Sequence, residues 1–354
     1  MVGRIRSATW GLCGLGLGLA GCPDQGDQQP FVTSTTLPGT STLPEPTSSS
    51  GSGSDGLDET GPPKLDVAGG TMGDDGIETG DESCKKVDLL FVIDDSGSMA
   101  DEQANLAASV PGFIEAMRAE LAETDGYNIG VVTSDLYIFD VSCGPVSIGN
   151  LVTQTGGVDS SNNVCSPYSS GMRFMTENDN LDNKFACAAQ VGTSGDGDEH
   201  PMEAMLTALS PELTDPGMCN EGFLRDDALL VVVIITDEED DHETEEQACN
   251  MTVQPGSPGE PGDWFDDLVA VKDKESHIVV LSLVGPDAEA GSMCPALDKC
   301  NGGIEGAEVA TRILEFTRMF TYGFIGPVCE DYGPIFQEAI GVIKTACDEF
   351  GPVG

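Results

Sequence analysis

Residues 87–99 read VDLLFVIDDSGSM, and this stretch decides the fold. Val87 to Ile93 is a nearly continuous apolar run, rich in branched and aromatic side chains and of strand length. A strand that is apolar at both alternating sets of positions is buried on both faces. That is the situation in a parallel sheet covered by helices on either side. The run stops at Asp94-Asp95, turns through Ser96-Gly97-Ser98, and gives way to a helical stretch from about Asp101 to Leu121. Asp94, Ser96 and Ser98 alternate along the turn, so one carboxylate and two hydroxyls can face a single point. An oxygen-only set of this kind suits a hard cation such as Mg²⁺, which prefers octahedral geometry at about 2.0–2.1 Å and keeps several waters. Ser and Asp before a helix also serve as plain caps, so the turn gains meaning only from what lies downstream.

Working outward, the same alternation recurs. Ile129 to Thr133 reads as a second strand, and the segment from Asp198 to Leu209 opens on glycine and acid and continues as helix. Leu229 to Thr236 is the strongest strand signal in the chain. A helix around Trp264 to Lys274 precedes a strand at Ile278 to Val284, and a closing helix covers about Ile335 to Cys347. Strands alternating with helices imply an α/β fold, a doubly wound and mainly parallel sheet flanked by helices. In such folds ligands bind beyond the carboxyl ends of the strands. Two further acidic groups fall at that edge: Thr236-Asp237 after the strongest strand, and the turn Gly195-Asp196-Gly197-Asp198-Glu199 before the Met202 to Leu209 helix.

With VIDDSGSM after the first strand and VVVIITDEE across a later one, the chain resembles the von Willebrand factor A family and its metal-ion-dependent adhesion site. The resemblance covers about residues 84 to 350 and implies a Rossmann-like fold. The loops 136–183 and 250–262 look longer than the family core needs. It further implies that Asp94, Ser96 and Ser98 supply the first metal loop and Asp237 the third. The family's second loop usually carries Thr; here Glu199 is the first choice, with Thr193, Asp196, Asp198 and Glu203 as competitors. A glutamate at that place would add negative charge, hold the ion more tightly, admit Mn²⁺ or Ca²⁺ beside Mg²⁺, and weaken the ion's pull on an external carboxylate. The partner implied by the family is a protein that offers an acidic residue to the open position on the metal.

The chain ends and the composition bound the rest. Arg4 and Arg6, the apolar run from Ala8 to Ala20, and Leu19-Ala20-Gly21-Cys22 resemble a signal peptide with the lipobox of bacterial lipoproteins. The expected organisation is a signal over 1–21, an acylated Cys22, a Ser/Thr/Pro/Gly-rich acidic tether over 22–83 and a von Willebrand factor A-like domain over 84–354. As a flexible coil of about sixty residues the tether would span roughly 45 Å. Pro23 after Cys22 favours the outer membrane or cell surface over inner-membrane retention, and no later apolar run reaches the length of a membrane span. Ten cysteines follow the lipobox: Cys84, Cys143, Cys165, Cys187, Cys219, Cys249, Cys294, Cys300, Cys329 and Cys347. An even number in an exported chain without CxxC pairs reads as five disulfides. Cys84–Cys347 and Cys294–Cys300 are the expected pairs. A formal net charge of -46 excludes most nucleic-acid partners and leaves the membrane to the lipid anchor alone. Eight of the ten residues from Asp237 to Glu246 are acidic, which is most simply a solvated loop. No nucleophile elbow, HExxH or P-loop is present, and His200, His242 and His277 lack zinc spacing. The expectation is a surface binding or adhesion module rather than an enzyme. The alternatives are a structural scaffold subunit of an envelope assembly, in which the metal only fixes loops, and a metal-dependent hydrolase.

Overall fold

A computed structural model of the chain describes residues 84–120, 124–143, 148–240, 255–286, 294–295 and 306–350. The signal with Cys22, the tether, the acidic run beyond Asp240 with His242, and Cys249 and Cys300 lie outside the described residues.

Strand β1 runs over Lys86–Ile93, and every residue from Val87 onward is buried. Its alternation sorts side chains between two cores. Val87, Leu89, Phe91 and Ile93 enter one, and Leu90 and Val92 the other. Strands β2 (Gly126–Thr133), β3 (Met175–Thr176), β4 (Leu229–Ile235), β5 (Ile278–Val284) and β6 (Gly323–Pro327) complete a six-stranded sheet of order β3-β2-β1-β4-β5-β6. All pairings are parallel except that of the short edge strand β3 with β2. β1 and β4 are adjacent at the centre, and Val87 to Ile93 stand opposite Leu229 to Ile235. Burial on both faces explains why both runs are apolar without alternation.

Helices α1 (Ala100–Glu120), α2 (Leu181–Ala189) and α7 (Tyr332–Asp348) cover one face. There Phe91 packs against Phe113 and Phe185, with ring centroids 5.7 and 4.6 Å away. Helices α3 (Pro201–Leu209), α5 (Pro261–Lys272) and α6 (Thr311–Arg318) cover the other face, and the single turn α4 (Pro211–Thr214) follows α3. Helix α5 starts earlier than its apolar pattern because Glu260 and Asp263 form a reciprocal capping box and Pro261 occupies the first turn. The sequence reading places no element over 311–327, where the structure has α6 and β6. β6 reads GFIGP, whose two glycines and terminal proline dilute any strand signal.

Four disulfides are described. Cys84–Cys347 ties the start of β1 to the end of α7 with Cα atoms 4.7 Å apart, as expected. Cys143–Cys219 and Cys165–Cys187 fasten the long segment between β2 and β3. The expected Cys294–Cys300 pair is wrong: Cys294 bonds Cys329, with Cα atoms 5.3 Å apart. Closeness in sequence suggested the short loop. The fold instead carries Cys329, in the turn between β6 and α7, to within bonding reach of Cys294. The four bridges point to an oxidising, extracellular setting. Among the described residues no helix is long and apolar enough to cross a membrane.

Candidate metal centre

Three loops converge beyond the carboxyl ends of β1, β2 and β4. The Asp94 amide donates to the Ile235 carbonyl at 3.0 Å, extending the β1–β4 ladder by one step and launching the first loop from the middle of the sheet. The Thr236 amide donates to Leu283 at 3.2 Å and fixes the start of the loop after β4. The His200 amide donates to Ser134 at 3.0 Å, which holds the start of α3 against the end of β2. Gly195 permits the closest approach. Its amide donates to the Asp95 carbonyl at 2.7 Å, and a Cβ there would stand 2.8 Å from the same oxygen.

Asp94 is fully buried and held from three directions. The Ser96 amide donates to Oδ1 at 2.7 Å, Thr236 Oγ1 donates to Oδ2 at 2.6 Å, and Gln103 Nε2 donates to its carbonyl at 3.0 Å. Ser96 Oγ lies 3.2 Å from Ser98 Oγ, which in turn donates to Asp237 Oδ1 at 3.1 Å. Adjacent ligands of an octahedral Mg²⁺, with bonds of about 2.1 Å, stand about 3 Å apart. The Ser96–Ser98–Asp237 spacings therefore match neighbouring corners of such a shell. Asp237 Oδ2 is buried and receives no hydrogen bond among the described residues. No three His, Cys, Asp or Glu side chains among the described residues converge tightly enough to hold an ion by themselves. An ion here would thus depend on the serine hydroxyls and on water, as suits Mg²⁺ rather than a transition metal caged by protein. The donor set fits a hard divalent cation.

Glu199 is fully buried, and Ser134 Oγ donates to its Oε2. It lies close enough to Asp94, Asp95 and Glu238 for their charges to act on it. The four competitors turn elsewhere. Thr193 donates to Asp159, Asp196 accepts from the Gly197 amide, Asp198 faces His200 Nε2, and Glu203 accepts from His200 Nδ1. The structure thus assembles Asp94, Ser96, Ser98 and Asp237 in contact and buries Glu199 beside them.

The electrostatics of the cluster are those of carboxylates without a counter-charge. Burial, then the charges of Asp94, Glu238 and Glu102, push Asp237 up to about 9. Burial first and Asp94 second hold Glu199 well above the ordinary glutamate range. Burial raises Asp94 despite the bonds from Thr236 and Ser96, and burial with Asp135 and Asp94 raises Asp95. Glu102, in the first turn of α1, reaches about 8, mainly by burial. No Lys or Arg among the described residues pairs with Asp94, Asp95 or Asp237. Buried charge of one sign must be neutralised by protons or by a bound cation.

Sequence reasoning missed Thr236 as the clasp on Asp94, and it missed the buried Asp95, Ser134, Asp135 and Glu102. One signal was available: Ser134-Asp135 follows β2 directly, as Asp94-Asp95 follows β1.

No protein-family model and no curated protein matches the chain. Among solved structures, proximal thread matrix protein 1 from the mussel byssus aligns at 12% identity with a TM-score of 0.38, covering 74% of this chain and 49% of that one. The chain spans about half the length of that protein, and at this level the likeness identifies neither a family nor a function.

Proposed function

We propose that the chain is an exported binding module that holds a divalent cation, Mg²⁺ foremost and Mn²⁺ or Ca²⁺ next. Its ligands would be Asp94, Ser96, Ser98, Glu199 and Asp237, and the ion would engage a carboxylate of a protein partner. One observation carries this reading: the hydroxyl and carboxylate oxygens of Ser96, Ser98 and Asp237 stand at 3.2 and 3.1 Å, with Asp94 locked beneath them. Asp94 positions the loop and contributes negative charge, the serines contribute neutral oxygens, and Asp237 offers a buried oxygen without a donor. When bound, the ion would supply an electrophilic position for an acidic side chain. The proposed role is recognition rather than turnover, with the hydroxyls of Ser96 and Ser98 serving as neutral oxygen ligands. Acylation at Cys22 would keep the module at the envelope, with the 22–83 segment as its tether.

Isothermal titration of Mg²⁺, Mn²⁺ and Ca²⁺ into the metal-stripped 23–354 chain tests the site. Binding by the parent and none by Asp94→Ala is the expected result. Equal heats from both proteins would remove these residues from the site. Hydrolysis of phosphoester or peptide substrates by the metal-loaded chain would replace recognition with catalysis. A Cys22→Ser chain should leave the membrane fraction.

A further inference from the structure

Beside the candidate metal centre lies a cleft of about 810 Å³ that the metal reading does not use. Its apolar lining comes from Leu136, Ile138, Phe139 and Ile148. Leu136 and Ile138 are 55% and 62% exposed, an unusual cost for large aliphatic side chains in a chain this acidic. Asp196 and Asp198 line it as well. Its histidine, His200, is already engaged by Asp198 at 3.3 Å and Glu203 at 3.0 Å. Asp95 and Asp135 also line the cleft, yet they are only 2% and 8% exposed, so they lie at its inner end. Each has a buried Oδ1 that no N–H or hydroxyl reaches among the described residues, and the two carboxyl groups face each other closely enough for Asp135 to raise Asp95. Asp135 Oδ2 is occupied by the Asp196 amide at 2.8 Å, which fixes the direction of its carboxyl group.

A slot with aliphatic sides, acids at the mouth and two buried carboxyl oxygens without donors at its inner end has a specific complement. It is a side chain with an apolar stem and a cationic head. The stem is covered by Leu136 and Ile138, and the head supplies the missing donors to Asp95 and Asp135. We propose that this cleft receives a lysine or arginine side chain of the protein partner. The inference rests on the proposed function only in placing a protein partner at this face. The cation and its apolar stem are argued from the cleft itself.

The probe is the N-acetylated dipeptide amide of leucine and lysine, titrated into the 23–354 chain in EDTA and 0.15 M salt and followed by NMR. The comparison peptide carries norleucine, which keeps the stem and removes the charge. We expect the lysine peptide to shift signals of residues 135–139 and 194–200 and to bind at least tenfold more tightly than the norleucine peptide. Asp135→Asn and Leu136→Ser/Ile138→Ser should each weaken it at least fivefold, with the sheet signals unmoved. Diffuse attraction to a chain of formal charge -46 would hardly notice the loss of one carboxylate. Unchanged affinity in Asp135→Asn therefore overturns the proposal, as does equal binding of the norleucine peptide or no binding. In Asp94→Ala, displacement of the lysine peptide by millimolar Ca²⁺ or Mg²⁺ would make the cleft an inorganic cation site and also overturn it. Because the peptide is measured without metal, failure of the metal centre leaves this result standing, and the reverse.

Discussion

At the scale of single residues, Asp237 sets folding against the proposed metal binding. It is fully buried, one oxygen accepts from Ser98, and the other receives no hydrogen bond among the described residues. In the metal-free protein its carboxyl holds a proton up to about pH 9, whereas the unfolded chain releases it near 3.8. A folded-state value above the unfolded one makes the contribution most favourable at low pH and progressively lost as pH rises toward 9. Metal-free stability should therefore fall between pH 5 and pH 8 in a thermal melt, and Asp237→Asn should flatten that slope. At pH 8 the same variant should melt higher than the metal-free parent by at least about 2–4 °C, corresponding to roughly 1 kcal/mol. It should also bind no Mg²⁺. For the parent, metal affinity should rise with pH, because the ligands must shed protons. A parent that melts identically at pH 5 and pH 8 without metal would contradict the burial-driven account of this site.

At the scale of elements, the segment between β2 and β3 carries its own small architecture. Asp140 is its hub. It accepts from the Ser142 hydroxyl at 2.5 Å, the Thr153 amide at 2.6 Å, the Thr153 hydroxyl at 2.9 Å and Arg173 Nη2 at 2.9 Å. Burial alone would raise its carboxyl, but Ser142, Arg173 and Thr153 together hold it below the usual aspartate value. This contribution is present above the unfolded value near 3.8 and is lost as pH falls through the lower folded value. Arg173→Ala should destabilise the segment by about 1–3 kcal/mol, since charged hydrogen bonds are lost from a largely buried acid. Its acid-induced opening should move to higher pH, read as faster hydrogen exchange over residues 139–155 while β1 and β4 stay protected. The same segment carries Leu136 and Ile138 into the cleft.

At the scale of the whole molecule, Cys84–Cys347 joins the first strand to the last helix across 263 residues. A second bond reinforces the closure, from the Cys84 amide to the Cys347 carbonyl at 2.8 Å. Closing so long a loop restricts the unfolded chain, and removing such a bridge typically costs about 2–5 kcal/mol. Cys84→Ser/Cys347→Ser should therefore lower the melting temperature by roughly 5–15 °C at the usual 2–4 °C per kcal/mol. The proposed Mg²⁺ binding should persist in that variant at temperatures where it is folded, because the candidate loops lie beyond the ends of β1, β2 and β4 rather than at the chain ends. Loss of metal binding in a folded double variant would show that the closure orders the site.

The sequence by itself determined the α/β class, the two fully buried strands β1 and β4, and the placement of Asp94, Ser96, Ser98 and Asp237 at the strand ends. These were legible because a strand buried on both faces leaves a continuous apolar run, and the polar residue that ends the run marks the carboxyl edge. Glu199 was readable only as one candidate among five, since sequence cannot tell which side chain of an acidic turn points inward. Tertiary structure alone buried it beside Asp94 and sent its competitors to His200, Asp159 and the Gly197 amide. It also chose Cys329 over Cys300 for Cys294, brought Thr236 onto Asp94, and drew Asp95 and Asp135 together beneath the exposed Leu136 and Ile138. The contacts of Cys294, Thr236 and the Asp95–Asp135 pair each join segments far apart in the chain. Periodicity reports only which face of its own element a residue occupies, and the packing of one element on another decides what that face meets.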